Sequence, residues 1–71
     1  MMNVIIEKQK DGTYLAYNKD GNGVSLIGEG NTVSEAKDDF FNSMQEVIDT
    51  CKETGIAIPS FLEEKPNFIT N

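Results

Sequence analysis

A chain of 71 residues with six Lys, no Arg and 12 Asp or Glu, for a net charge of -6, has room for one small domain and excludes a multidomain enzyme. The acidic balance disfavours phosphate and nucleic-acid binding. With 38% hydrophobic residues the core is thin, and a domain of this size is marginal without disulfides, metals or oligomerisation. Cys51 is the only cysteine and His is absent, so an internal disulfide and the common zinc-finger spacings are both excluded. Self-association or a partner remains as the supplementary support.

The longest apolar run near the N-terminus is Val4-Ile5-Ile6, so no signal peptide or membrane span is expected. A lone cysteine and the lack of any Asn-x-Ser/Thr sequon fit a reducing intracellular setting. The chain is therefore read as cytoplasmic.

In chain order, Asn3-Val4-Ile5-Ile6-Glu7-Lys8 is β-branched at its centre and closed by the turn signal Lys10-Asp11-Gly12, which predicts a first strand and a hairpin. Thr13-Tyr14-Leu15-Ala16-Tyr17 suits a pleated surface and is broken by Asp20-Gly21-Asn22-Gly23, giving a second strand and turn. Val24-Ser25-Leu26-Ile27 reads as a third strand ending at Gly28-Glu29-Gly30, where glycines open backbone angles closed to other residues. The three strands form an antiparallel meander.

Thr32-Val33-Ser34-Glu35 matches a capping box, with Thr32 as N-cap and Glu35 reaching back. Val33, Ala36, Phe40, Met44, Val47, Ile48 and Cys51 then follow a three-and-four spacing that lines one stripe of a helix. Gly55 stands as the C′ residue and Pro59 follows, so the helix is predicted over about 33–53. Residues 56–71 form a tail in which Asn67-Phe68-Ile69-Thr70 is a candidate fourth strand. The stop at Asn71 directly after it is what a domain cut from a longer protein would show. The expected architecture is α+β, a three-stranded antiparallel meander with one long helix on one face.

The order and spacing of several short motifs resemble the amino-terminal domain of HicB-like antitoxins over about residues 3–60. The matching residues are Asp11-Gly12, Tyr14-x-Ala16, Gly30-Asn31-Thr32, Glu35-Ala36 and Gly55-x-x-Ile58-Pro59. Asn18-Lys19-Asp20-Gly21-Asn22-Gly23 replaces the family's usual Pro-Asp-Leu-Pro-Gly-Cys-like loop, and Asn31 stands where Asp is usual. The resemblance implies that 1–71 is a single HicB-like domain with a partial RNase H-like β-β-β-α-β fold, lacking the DNA-binding domain that longer relatives carry. It also implies a function: docking on a small, basic ribonuclease toxin and covering its active site.

Charge agrees with that expectation, since a ribonuclease attracts phosphates with positive charge and carboxylates on an inhibitor complement it. The predicted helix carries Glu35, Asp38, Asp39, Glu46, Asp49 and Glu53 against Lys37 and Lys52, although a solvated acidic face has the same look. Strand alternation sets Val4 and Ile6 on one face with Ile5 on the other, and opposes Ile27 to Leu26. A single helix covers one face only, so a dimer or a toxin would cover the rest, and an open edge strand offers a further route to another chain.

Catalysis is weighed against this. A two-metal nuclease needs converging carboxylates, for which Glu7, Asp11, Asp20 and Glu29 are the candidates, but Asp11 and Asp20 occupy positions favoured for local turn bonding. Cys51 lies on the apolar stripe and reads as a small buried hydrophobe. Gly21-x-Gly23 and Gly28-x-Gly30 do not complete a phosphate-binding fingerprint, and turn geometry accounts for them. Phe40 belongs to the core stripe and Phe41 borders it or a partner. The reading is a non-catalytic antitoxin-like homodimer with no cofactor, no metal and no nucleic-acid binding of its own, its partner contacts placed at Tyr14, Tyr17, Asp20 and Glu29. The alternatives are a stand-alone oligomeric interaction domain with another ligand, and a metal-dependent nuclease.

Overall fold

The computed structural model describes residues 2–18 and 26–70. Strands β1 (Asn3–Lys8), β2 (Tyr14–Asn18) and β3 (Ile27–Gly30) precede helix α1 (Val33–Thr54), a 3-10 turn over Ser60–Glu63, and strand β4 (Asn67–Thr70). The sheet order is β3-β2-β1-β4, with β1-β2 and β2-β3 antiparallel and β1-β4 parallel. The α+β meander with a short fourth strand is therefore present, and β4 makes the sheet mixed.

The β1-β2 hairpin turns where the residue types allow it. Gly12 adopts φ 90°, a region open to glycine at little steric cost. Asp11 Oδ1 accepts from the Thr13 amide at 3.0 Å and from Thr13 Oγ1 at 2.6 Å, the local bonding expected of Asp in a turn. Those bonds hold the Asp11 carboxyl below its ordinary pKa of 3.8. The Asp11 carboxylate is thus given over to the turn, as its place before Gly12 predicts.

Helix α1 begins where the capping signal lies. The Glu35 amide donates to Thr32 Oγ1 at 3.1 Å, while the Glu35 carboxylate accepts from the Asn31 amide at 3.4 Å, one residue before the position a regular capping box uses. At the far end Gly55 sits at φ 73° and its amide bonds the Cys51 carbonyl, the left-handed cap that ends a helix.

The core is apolar throughout. Met2, Val4, Ile6, Ala16, Leu26, Ala36, Phe40, Met44 and Leu62 are buried, and no polar or charged side chain among the described residues joins them. Of the predicted helix stripe, Ala36, Phe40 and Met44 are buried; Val33 at its start and Val47, Ile48 and Cys51 toward its end are half-buried. Length explains the latter three: 22 residues make a helix of about 33 Å, whereas a strand of six residues spans about 20 Å. The helix outruns its sheet, and Cys51 falls on the overhang rather than in the core.

The glycines of β3 correct the sequence reading. Gly28 and Gly30 lie inside the strand, and neither is among the described glycines with positive φ. They are needed for closeness instead. A Cβ on Gly28 would meet the Phe40 amide nitrogen at 2.3 Å and the Ala36 carbonyl at 2.6 Å, and one on Gly30 the Ala36 nitrogen at 2.7 Å. Helix backbone rests directly on strand backbone. Accordingly β3 begins at Ile27 and runs through both glycines; Val24 and Ser25 of the expected strand lie outside the described residues.

Candidate functional site

Register places two sets of side chains on the two sheet faces. On the helix side lie Val4, Ile6, Ala16 and Gly28, with Tyr14 opposite Gly30 and Phe68 opposite Val4. Phe68 meets Phe40 edge-on at 6.0 Å and Phe41 at 5.6 Å, and Lys37 Nζ stands 5.2 Å from its ring centre. The centre of this side is covered by α1, while Phe41 at its margin stays 46% exposed.

The other face has no element over it among the described residues. Ile69 pairs with Ile5, Ile5 with Tyr17, and Tyr17 with Ile27, so four apolar or aromatic side chains form one row straight across all the strands. At about 4.8 Å between strands the row is about 14 Å long. Ile27 is 52% exposed and Ile69 39% exposed at its two ends, with Ile5 and Tyr17 half-buried between them. The residues two positions along each strand form the neighbouring row, Glu7-Leu15-Glu29. On the opposite flank the Asn67 side-chain amide donates to Asn3 Oδ1 at 3.2 Å.

The electrostatics of this face have one sign. Glu7 and Glu29 are the ionisable side chains that the described strands place on it besides Tyr17, and Lys8 falls on the helix side by alternation. The Tyr17 hydroxyl donates to Glu7 Oε1 at 2.8 Å. That bond to a carboxylate, followed by desolvation and the carboxylate's charge, raises the Tyr17 pKa above its ordinary 10.0. The pair ties the half-buried Tyr17 side chain to Glu7 in the neighbouring row.

Of the residues expected to contact a partner, Tyr17 and Glu29 share this face. Tyr14 lies on the helix side, packed against the core cluster, and Asp20 lies outside the described residues. Sequence reasoning passed over Ile69 and Leu15 as members of the site. Their signal is the period-2 alternation within each strand, but only the register joins Ile5, Tyr17, Ile27 and Ile69 into one row.

The edges of the sheet differ. At the β3 edge the Glu29 amide donates to Asp39 Oδ2 at 2.9 Å, and Ser43 Oγ donates to the Ile27 carbonyl at 2.7 Å. Asp39 and Ser43 stand one helical turn apart, so they reach successive outward-facing backbone groups of the strand. The Glu29 N–H and the Ile27 C=O, two of the groups a further strand would pair with, are thus already engaged at this edge.

Chemistry on this face is limited. Among the described residues no three Asp, Glu, Cys or His side chains gather closely enough to hold a metal ion. Glu7 and Glu29 are separated by Leu15 across two strand spacings, and Asp11 is engaged in its turn. No described helix is long and apolar enough to cross a membrane. Comparison with family models, curated proteins and solved structures returns no match.

Proposed function

We propose that this domain is a non-catalytic binding module of the HicB-like antitoxin kind. It works in the cytoplasm as a homodimer and neutralises a small basic ribonuclease toxin by covering its active site. The observation that carries the reading is the helix-free sheet face, where an apolar row from Ile27 to Ile69 is flanked by Glu7 and Glu29 with no lysine from the described strands beside them. A protein surface built to hold RNA phosphates is cationic, so an apolar centre with a carboxylate flank is complementary to its rim. The β-β-β-α-β element order is also what the family resemblance implies.

In this reading Tyr17 is the anchor. Aromatic side chains held rigidly at the centre of a patch lose little entropy on binding and dominate contact energy. Glu29, exposed on β3, steers the approach and sets its salt dependence.

The test is co-expression with a short basic protein encoded next to this chain, followed by size exclusion and an RNA-cleavage assay. A stable complex with cleavage suppressed supports the reading. The absence of a complex, with cleavage unaffected, overturns it and leaves an interaction domain for another ligand.

A further inference from the structure

We infer that two copies of this chain join through the outer edge of β4, in an antiparallel two-fold register centred on Ile69, so that both sheets become one. The inference rests on the reading that the module self-associates, and it is independent of the partner's identity.

Backbone parity sets the geometry. The Asn67 amide donates inward to the Met2 carbonyl at 2.8 Å, and because strand residues alternate, Phe68 and Thr70 turn their N–H and C=O groups outward. Among the described residues no side chain or backbone group bonds that outer edge, in contrast to β3, which Asp39 and Ser43 engage. Edge strands are ordinarily protected by charge, proline or a bulge. Residues Asn67–Thr70 contain neither a charge nor a proline.

Charge selects the same strand for self-association. Two copies of a chain with net charge -6 repel, and the outer helix surface carries Asp38, Glu46, Asp49 and Glu53, all exposed. Contact through β4 keeps those surfaces apart and brings no like charges of the strand together. With Ile69 opposite Ile69 of the second copy, Phe68 of each copy faces Thr70 of the other and both exchange their backbone hydrogen bonds. The two Ile69 residues form the non-hydrogen-bonded pair, with Cα atoms about 4.5 Å apart.

Such an axis stands perpendicular to the sheet, so both helices lie on one side and both helix-free faces on the other. The two apolar rows become continuous through Ile69. Partner binding would then occur on one doubled surface, with the exposed Ile69 side chains covered at its centre.

Sedimentation of the full chain across a concentration series tests this. The expected mass is about twice 7.9 kDa. Thr70→Pro removes an outward N–H that no bond within the chain uses, and Ile69→Lys sets two cations opposite each other. Each change acts twice per dimer, so each should weaken self-association at least about tenfold, while circular dichroism reports an unchanged fold. Gln45→Lys, with the same charge change on the exposed helix surface, should not weaken it. A wild-type chain that is monomeric throughout overturns both the self-association and this edge. A dimer that survives both Thr70→Pro and Ile69→Lys keeps the self-association and overturns the edge.

Discussion

Replacing Gly28 with alanine is the most direct probe of how α1 is seated. The added Cβ would stand 2.3 Å from the Phe40 amide nitrogen and 2.7 Å from its Cα, against 3.4 Å for ordinary contact. All of the nearest atoms are helix backbone, so no rotamer change relieves the clash and the helix must retreat by about 1 Å. Overpacking of this kind costs about 1–3 kcal/mol. The retreat also draws Asp39 and Ser43 away from bonds of 2.9 and 2.7 Å to β3, at about 1 kcal/mol each. A stiffer unfolded chain returns about 0.4–1 kcal/mol. The net loss of about 2–4 kcal/mol is a large share of the roughly 4–11 kcal/mol that a domain of this length commands. At about 4–8 °C per kcal/mol, thermal unfolding followed by circular dichroism should show Tm lowered by at least about 8 °C. A Gly28→Ala variant melting within about 3 °C of wild type would refute direct backbone seating of α1 on β3.

Other outcomes follow from individual contacts. Thr32→Ala removes the N-cap oxygen that accepts from Glu35 and should lower stability by about 1 kcal/mol, with Thr32→Ser restoring most of it in the same melt. In a Tyr14→Phe background, ultraviolet titration of the remaining tyrosine should give a midpoint above 10.0, and Glu7→Gln should bring it down. Because the folded pKa is raised, the stability linked to Tyr17 is full below pH 10.0 and is lost as pH rises through the folded value. Alkaline melts of wild type and Glu7→Gln should converge there. Asp39→Ala with Ser43→Ala opens the β3 edge and should produce concentration-dependent higher assemblies by light scattering; a variant that scatters like wild type would show that the edge was not held closed by these two side chains.

Where a signal was local, the sequence was legible. Thr32, Glu35 and Gly55 mark the ends of α1 because capping depends on residues within one turn, and the alternation through Val4-Ile5-Ile6 gives the two faces of β1 without any tertiary information. The sequence ends the third strand at Gly28 because Ile27 is the last of the β-branched and aliphatic types there, whereas the strand runs on through Gly28 and Gly30, which are in it for the sake of the helix above them. That reason exists only once the helix is packed. Met2 and Leu62 are buried although they lie outside the periodic segments, since they close the core beyond the strand and helix that pattern identifies. The row from Ile27 to Ile69 joins residues far apart in the chain, and its continuity comes from registers set by hairpin geometry and by the parallel return of β4.

The proposed binding face is tested most directly by amide NMR shifts of the labelled chain titrated with the short basic protein proposed as its partner. The account predicts that changes concentrate at Ile5, Leu15, Tyr17, Ile27 and Glu29, while Gln45 and Asp49 on the outer side of α1 hold their positions. Changes concentrated at Gln45 and Asp49, with the sheet residues undisturbed, would contradict it.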